Sequence, residues 1–141
     1  MGPFSSGWTE ADVEAVIARG DPEELLYVPI VIGMNADDCD RDWVERILID
    51  LSSHPHFNVR SNAILGFGHT ARTYRTLSLD KVLPIISGAL TDPHQDVRDQ
   101  ANDTANDLLI YLGVVVPGYD VRHTEAFFDA VAAFKRQHHL E

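Results

Sequence analysis

The residues of this chain able to do chemistry are seven histidines, one cysteine and 22 carboxylates, and their spacing restricts what they can do. His54 and His56 bracket Pro55, His94 follows Pro93, and His138 and His139 stand together at the C-terminal end. None has the helical or Cys-paired spacing through which side chains converge on zinc, so no metal is expected. His69, Asp107 and Cys39 could be imagined as base, orienter and nucleophile. Cys39, however, lies among Asp37, Asp38, Asp40 and Asp42, with Arg41 its only positive neighbour in sequence, and no motif fixes the three groups relative to one another. Neither a Gly-rich phosphate loop nor a nucleophile elbow is present. No catalytic residue and no cofactor is therefore expected, and the chain reads as a non-enzyme.

What the spacing does offer is a surface. Asn62, Leu65, His69 and Arg72 follow one another at intervals of three, four and three, which places them on one stripe of a helix. Asp99, Asp103 and Asp107 recur every four residues, with Asn106 beside them. Aspartate is a poor interior helix former and like charges four apart repel, so local helix stability does not explain the three. They read either as a solvated acidic face or as a docking stripe for basic side chains of a protein partner. Gly66 and Gly68 interrupt the same helical stretch as His69 and Arg72, a pattern that implies a crowded backbone or a bound group nearby; core packing alone could also require them.

Charge narrows the partner. The net charge of −11 repels nucleic-acid phosphates and anionic lipid and steers basic proteins inward, so neither nucleic acid nor membrane is expected as a partner. It is also uneven. Residues 1–53 hold twelve acids and three bases, 54–79 no acid and three Arg, 80–111 six acids and two bases, and 112–141 four acids and three bases. The longest apolar runs, such as Val28 to Met34, are far short of the roughly 20 residues of a membrane span, and no charged leader with an apolar stretch and cleavage site opens the sequence. With one cysteine and hence no intrachain disulfide, a cytoplasmic location is expected.

These stripes need helices to carry them, and the sequence supplies a series. Thr9 can cap a first helix that stops at Gly20; Asp21-Pro22 opens a second over 23–33, which Pro29 should bend or shorten. Trp43, Val44, Ile47, Leu48 and Leu51 mark a third over 42–52, and Val59, Ala63, Phe67 and Ala71 a fourth over 58–73. Ser78 can cap a fifth over 79–90, where Pro84 predicts a kink or a late start, and Val97, Ala101, Ala105, Leu108, Leu109 and Leu112 line a sixth over 95–112. A last amphipathic helix, about 123–139, carries Phe127, Phe128, Val131 and Phe134 and either closes this chain's core or pairs two chains. At 141 residues, all of this fits one domain.

The series repeats. His54-Pro55-x-x-x-Val59-Arg60 with Ala63 returns as Asp92-Pro93-x-x-x-Val97-Arg98 with Ala101, an offset of 38 residues, and Pro22 begins a degenerate earlier copy in which Tyr27 replaces Arg. Val82-Leu83-Pro84-Ile85-Ile86 through Leu90, followed by Asp92 to Arg98 and Ala101, resembles the two-helix HEAT repeat, as does Trp43 through Ala71. The resemblance covers about 40–112, and more weakly 9–39. It implies an all-α, short right-handed HEAT-like α-solenoid: hairpins over about 9–34, 41–74 and 78–112 plus the C-terminal capping helix, with the second helix of each hairpin on the concave side. It also implies that Arg60, Asp96 and Arg98 stitch neighbouring turns together, against the alternative that the arginines capture an anion at helix starts.

A narrower resemblance rests on the segment His56 to Arg75 in a small acidic HEAT-like chain, which is similar to the immunity proteins of bacterial contact-dependent growth inhibition and related polymorphic toxin systems. That likeness implies a non-catalytic inhibitor covering the active site of a toxin, often a basic nuclease, through Asn62, Leu65, His69, Arg72, Asp99, Asp103, Asn106 and Asp107. Two other functions fit a HEAT-like chain. One is a general scaffold or adaptor for a basic protein or peptide; the other is a HEAT-like DNA glycosylase, whose positive groove would have only Arg60, Arg72 and Arg75 to draw on here.

Overall fold

The computed structural model describes residues 2–121 together with Asp129, Ala132, Ala133, Arg136 and Gln137; these last five are helical and fall within the expected capping helix, whose Phe127, Phe128, Val131 and Phe134 lie outside the described residues. Seven α-helices are present in residues 2–121: α1 (Glu10–Arg19), α2 (Pro22–Leu25), α3 (Val28–Met34), α4 (Arg41–Leu51), α5 (Phe57–Tyr74), α6 (Leu79–Ala89) and α7 (Gln95–Leu112). Short 3-10 turns occupy Gly2–Phe4 and Ala36–Asp38, and no described residue is in a strand. No helix among the described residues is long and apolar enough to cross a membrane.

Local chemistry sets most helix ends. Thr9 and Asp12 form a reciprocal capping box at α1, the Asp12 carboxylate accepting the Thr9 N–H at 2.7 Å, and Gly20 closes that helix at φ +70°. The single helix expected over 23–33 is two helices. Pro29 has no N–H to return to the carbonyl four residues back, and it stands at the start of α3, where none is needed. Pro84, by contrast, stays inside α6, which begins at Leu79 without a late start. Ser78 does not cap α6 with its hydroxyl. Its N–H (3.0 Å) and O–H (2.7 Å) both donate to the Glu45 carboxylate of α4, a buried acid that brings negative charge to the positive end of the next hairpin's first helix.

The two repeated turns are built alike. His56 and His94 are the N-caps of α5 and α7, each accepting a backbone N–H two residues on through Nδ1, and the Phe57 ring stacks on His94 with centroids 3.6 Å apart. One guanidinium nitrogen of Arg60 donates to the His54 and Pro55 carbonyls; one of Arg98 donates likewise to those of Asp92 and Pro93. Arg60 also reaches across to the next turn, gripping both carboxylate oxygens of Asp92 at 3.1 and 2.9 Å, with both side chains less than a fifth exposed. The acid that takes this bond is thus Asp92 and not Asp96, whose carboxylate is exposed and 3.9 Å from the His94 ring. Asp92 lies in the turn between α6 and α7, while Asp96 is the second residue of α7 and is exposed.

Between the turns, α5 is the central helix, with α3 on one side, α7 on the other and α4 packed within its own hairpin. Val59, Ala63, Phe67 and Ala71 are buried on it, and Val97, Ala101, Ala105 and Leu108 on α7, within one apolar cluster that runs from Phe4 to Tyr119. The Thr104 hydroxyl donates to the Ile64 carbonyl across the α5–α7 contact at 2.9 Å, so the one buried hydroxyl of α7 is satisfied by its neighbour.

Removing the Asp92 carboxylate leaves the poorly hydrated Arg60 charge without its acceptor. Asp92→Ala is expected to lower stability by about 2–4 kcal/mol, against about 0.5 or less for Asp96→Ala. Urea melts of the two variants check this, and equal losses would remove Asp92 from the link.

Candidate functional site

The proposed stripe of α5 does not face solvent as a unit. The Asn62 side-chain amide donates to the Leu26 carbonyl at 2.8 Å, tying α5 to the bend between α2 and α3, and Leu65 is half-buried. His69 is half-buried with its Cβ where a Gly33 side chain would stand, at 3.3 Å from that position. Arg72 is exposed and donates to His69 Nδ1 at 2.8 Å. Because a guanidinium can only donate, that nitrogen accepts and carries no proton. Burial, and after it the Arg72 charge, holds the His69 imidazole below its ordinary value, which keeps the acceptor available at neutral pH.

On α7 the three aspartates part company. Asp99 and Asp103 are exposed and form no ion pair with any described residue. Asp107 is half-buried on the α5 side, and its Oδ2 lies 2.6 Å from the place a Cβ of Gly68 would take. Burial pushes its carboxyl above the usual range; Arg72 opposes this and Asp103 adds to it. Asn106 is half-buried, its Oδ1 accepting the Tyr119 hydroxyl at 3.4 Å. The structure therefore brings together His69, Arg72 and Asp107, and leaves Asp99 and Asp103 as the outward pair.

The glycines have packing reasons. A Cβ on Gly66 would meet Leu48 of α4 at 2.6, 3.1 and 3.4 Å, so Gly66 closes the α4–α5 hairpin, while Gly68 admits the Asp107 carboxylate from α7. Cys39 joins none of these groups by any described contact. Burial, then Glu10, Asp38 and Asp37, push its thiol upward, which keeps it protonated and a poor nucleophile. Its neighbour is Tyr74, whose hydroxyl donates to the Ala36 and Cys39 carbonyls and is itself pushed up to about 12, chiefly by burial. No group of three or more His, Cys, Asp or Glu placed to hold a metal occurs among the described residues.

Three participants escape the spacing argument. Arg75 ends α5 in the left-handed region at φ +56°, where Gly is usual, and its guanidinium lies 4.8 Å from the Tyr111 ring centroid of α7. Asn102 and Tyr119 line a hollow of about 150 Å³ with Asp103 and Asn106. Asn102 was legible as the residue one turn before Asn106; nothing local marks Tyr119, which arrives from beyond the helix.

Three substitutions test these geometries. With its folded value depressed, His69 contributes stability that is present above about pH 6.5 and lost as pH falls through the folded value, whereas Asp107, raised in the fold, costs stability once pH rises through its own. His69→Gln should shrink the fall in Tm between pH 7 and pH 5. Asp107→Asn should raise Tm at pH 7, with the gain vanishing below about pH 4. Gly66→Ala should cost about 1–3 kcal/mol through overpacking. In a Leu48→Ala background it should cost less, as denaturant melts of the double-mutant cycle would show.

Compared with protein-family models, with curated proteins and with solved structures, the chain matches none.

Proposed function

We propose that the chain is a non-catalytic HEAT-like protein-binding module, and specifically an immunity protein that neutralises a bacterial toxin, a basic nuclease, by covering its active site from the cytoplasm. The observation that carries this reading is the outward pair Asp99 and Asp103. They stand one helical turn apart on α7, without ion-pair partners among the described residues, on a helix whose own stability they do not serve. A side chain that costs its helix something and bonds to nothing described is explained by what approaches from outside.

The kind of partner follows from charge. A nuclease must attract phosphate and so presents a positive cleft, to which an acidic stripe on a chain of net charge −11 is complementary. The HEAT-like arrangement is supported by the turns: Arg60 and Arg98, 38 residues apart, make the same two carbonyl bonds, and Arg60 links one turn to the next. Stacking of that kind leaves the second helices, α5 and α7, to form the contact surface. The contact set is then narrower than the full stripe. Asp99, Asp103, Leu65 and Arg72 meet the partner, while Asn62, His69 and Asp107 mainly position them, and Asn106 stands at the edge.

Affinity capture from the native host, read by mass spectrometry, is expected to return one small basic protein at one-to-one ratio. Reversing both charges with Asp99→Lys and Asp103→Lys should weaken that complex roughly ten- to a thousandfold and flatten its salt dependence. Unchanged affinity and unchanged salt dependence would remove the acidic pair from the interface.

A further inference from the structure

The hollow beside α7 has a chemistry of its own. Asn102, Asp103 and Asn106 line it from the helix and Tyr119 from the segment that follows, enclosing about 150 Å³. The Asn102 amide donates one N–H to the Arg98 carbonyl at 3.0 Å, which leaves the side-chain carbonyl oxygen and the second N–H to offer. Asp103 is exposed beside it with a full carboxylate. Tyr119, only 8% exposed, is held with its hydroxyl directed at Asn106 Oδ1, which fixes its ring as a wall. The lining thus combines oxygen acceptors on adjacent residues with an aromatic surface.

We infer that this hollow is the anchor site for a single arginine side chain of the protein partner. It deepens the proposed function and rests on it only for the source of the arginine. A guanidinium is planar, presents several N–H donors in a fixed fork, stacks on aromatic rings and sheds water more readily than an ammonium. Asp103 neutralises it, the Asn102 oxygen accepts a second bond and Tyr119 flanks its face. Lysine, with a compact and strongly hydrated charge, matches the carboxylate but not the wall. Interfaces concentrate their affinity in a few such seated side chains, with arginine prominent among them.

The test uses the full chain labelled with ¹⁵N and three small probes: N-acetyl-arginine amide, its lysine counterpart, and the citrulline counterpart, which has the shape of arginine without the charge. At low salt the arginine probe should shift the Asn102 and Asn106 side-chain amide signals saturably. Citrulline should not, and lysine should bind more weakly. Asp103→Asn should weaken the arginine response about tenfold while leaving the remaining spectrum folded, and Asn102→Ala should weaken it by less. Equal responses to arginine and lysine would overturn the guanidinium assignment, and no saturable shift, or one indifferent to Asp103→Asn, would overturn the site. These measurements need no partner protein. Their failure leaves capture of a basic protein standing, and failed capture with arginine still bound would remove the partner reading and keep the hollow.

Discussion

Arg60 holds two turns with one side chain. Its guanidinium satisfies the His54 and Pro55 carbonyls within its own turn and both oxygens of Asp92 in the next, a planar group meeting a planar acceptor where neither is well hydrated. Asp92 is held well below the usual carboxylate range by that bond first, with burial opposing it, so the pair stays charged. Once the turns are locked, the axial position of α5 against α7 is set. Gly68 then faces Asp107, the Thr104 hydroxyl meets the Ile64 carbonyl, and Arg75 comes to rest over Tyr111.

That register divides the polar residues of the two helices into those that face inward along the seams and those that do not. Asn62 and His69 lean toward the α2–α3 side of α5, and Asp107 leans toward α5 from α7. Their polarity is used within the molecule, which is why two of them depart from their ordinary protonation behaviour. Asp99 and Asp103 stay outside this arrangement, so the acidic character of the surface is concentrated in fewer groups than the count of aspartates implies.

Much of the helical plan was legible because it depends on local rules. Prolines 22, 55 and 93, the Thr9 cap and the apolar spacing of α4, α5 and α7 each act within a turn or two of chain. Pro29 signalled trouble, but whether it bends or divides a helix depends on what packs against the free carbonyls. Ser78 misled for a similar reason: a hydroxyl before a helix suits capping, and only the approach of Glu45 from another hairpin redirects it. In the stripes, spacing identified the face of each helix without saying which edge of that face meets a neighbour. Asp92 in place of Asp96, and Tyr119 at the hollow, are results of distance through space that no periodicity encodes.

The Glu45 carboxylate carries a consequence for how the molecule comes together. The N-terminal end of α6 is completed by an acid on α4, a helix of the preceding hairpin. At this point the later hairpin is finished by the earlier one, as the earlier is finished by the later where Asp92 takes the Arg60 guanidinium. On a ribosome, where the earlier residues emerge first, Glu45 is in place before Ser78 arrives, whereas Arg60 waits for Asp92.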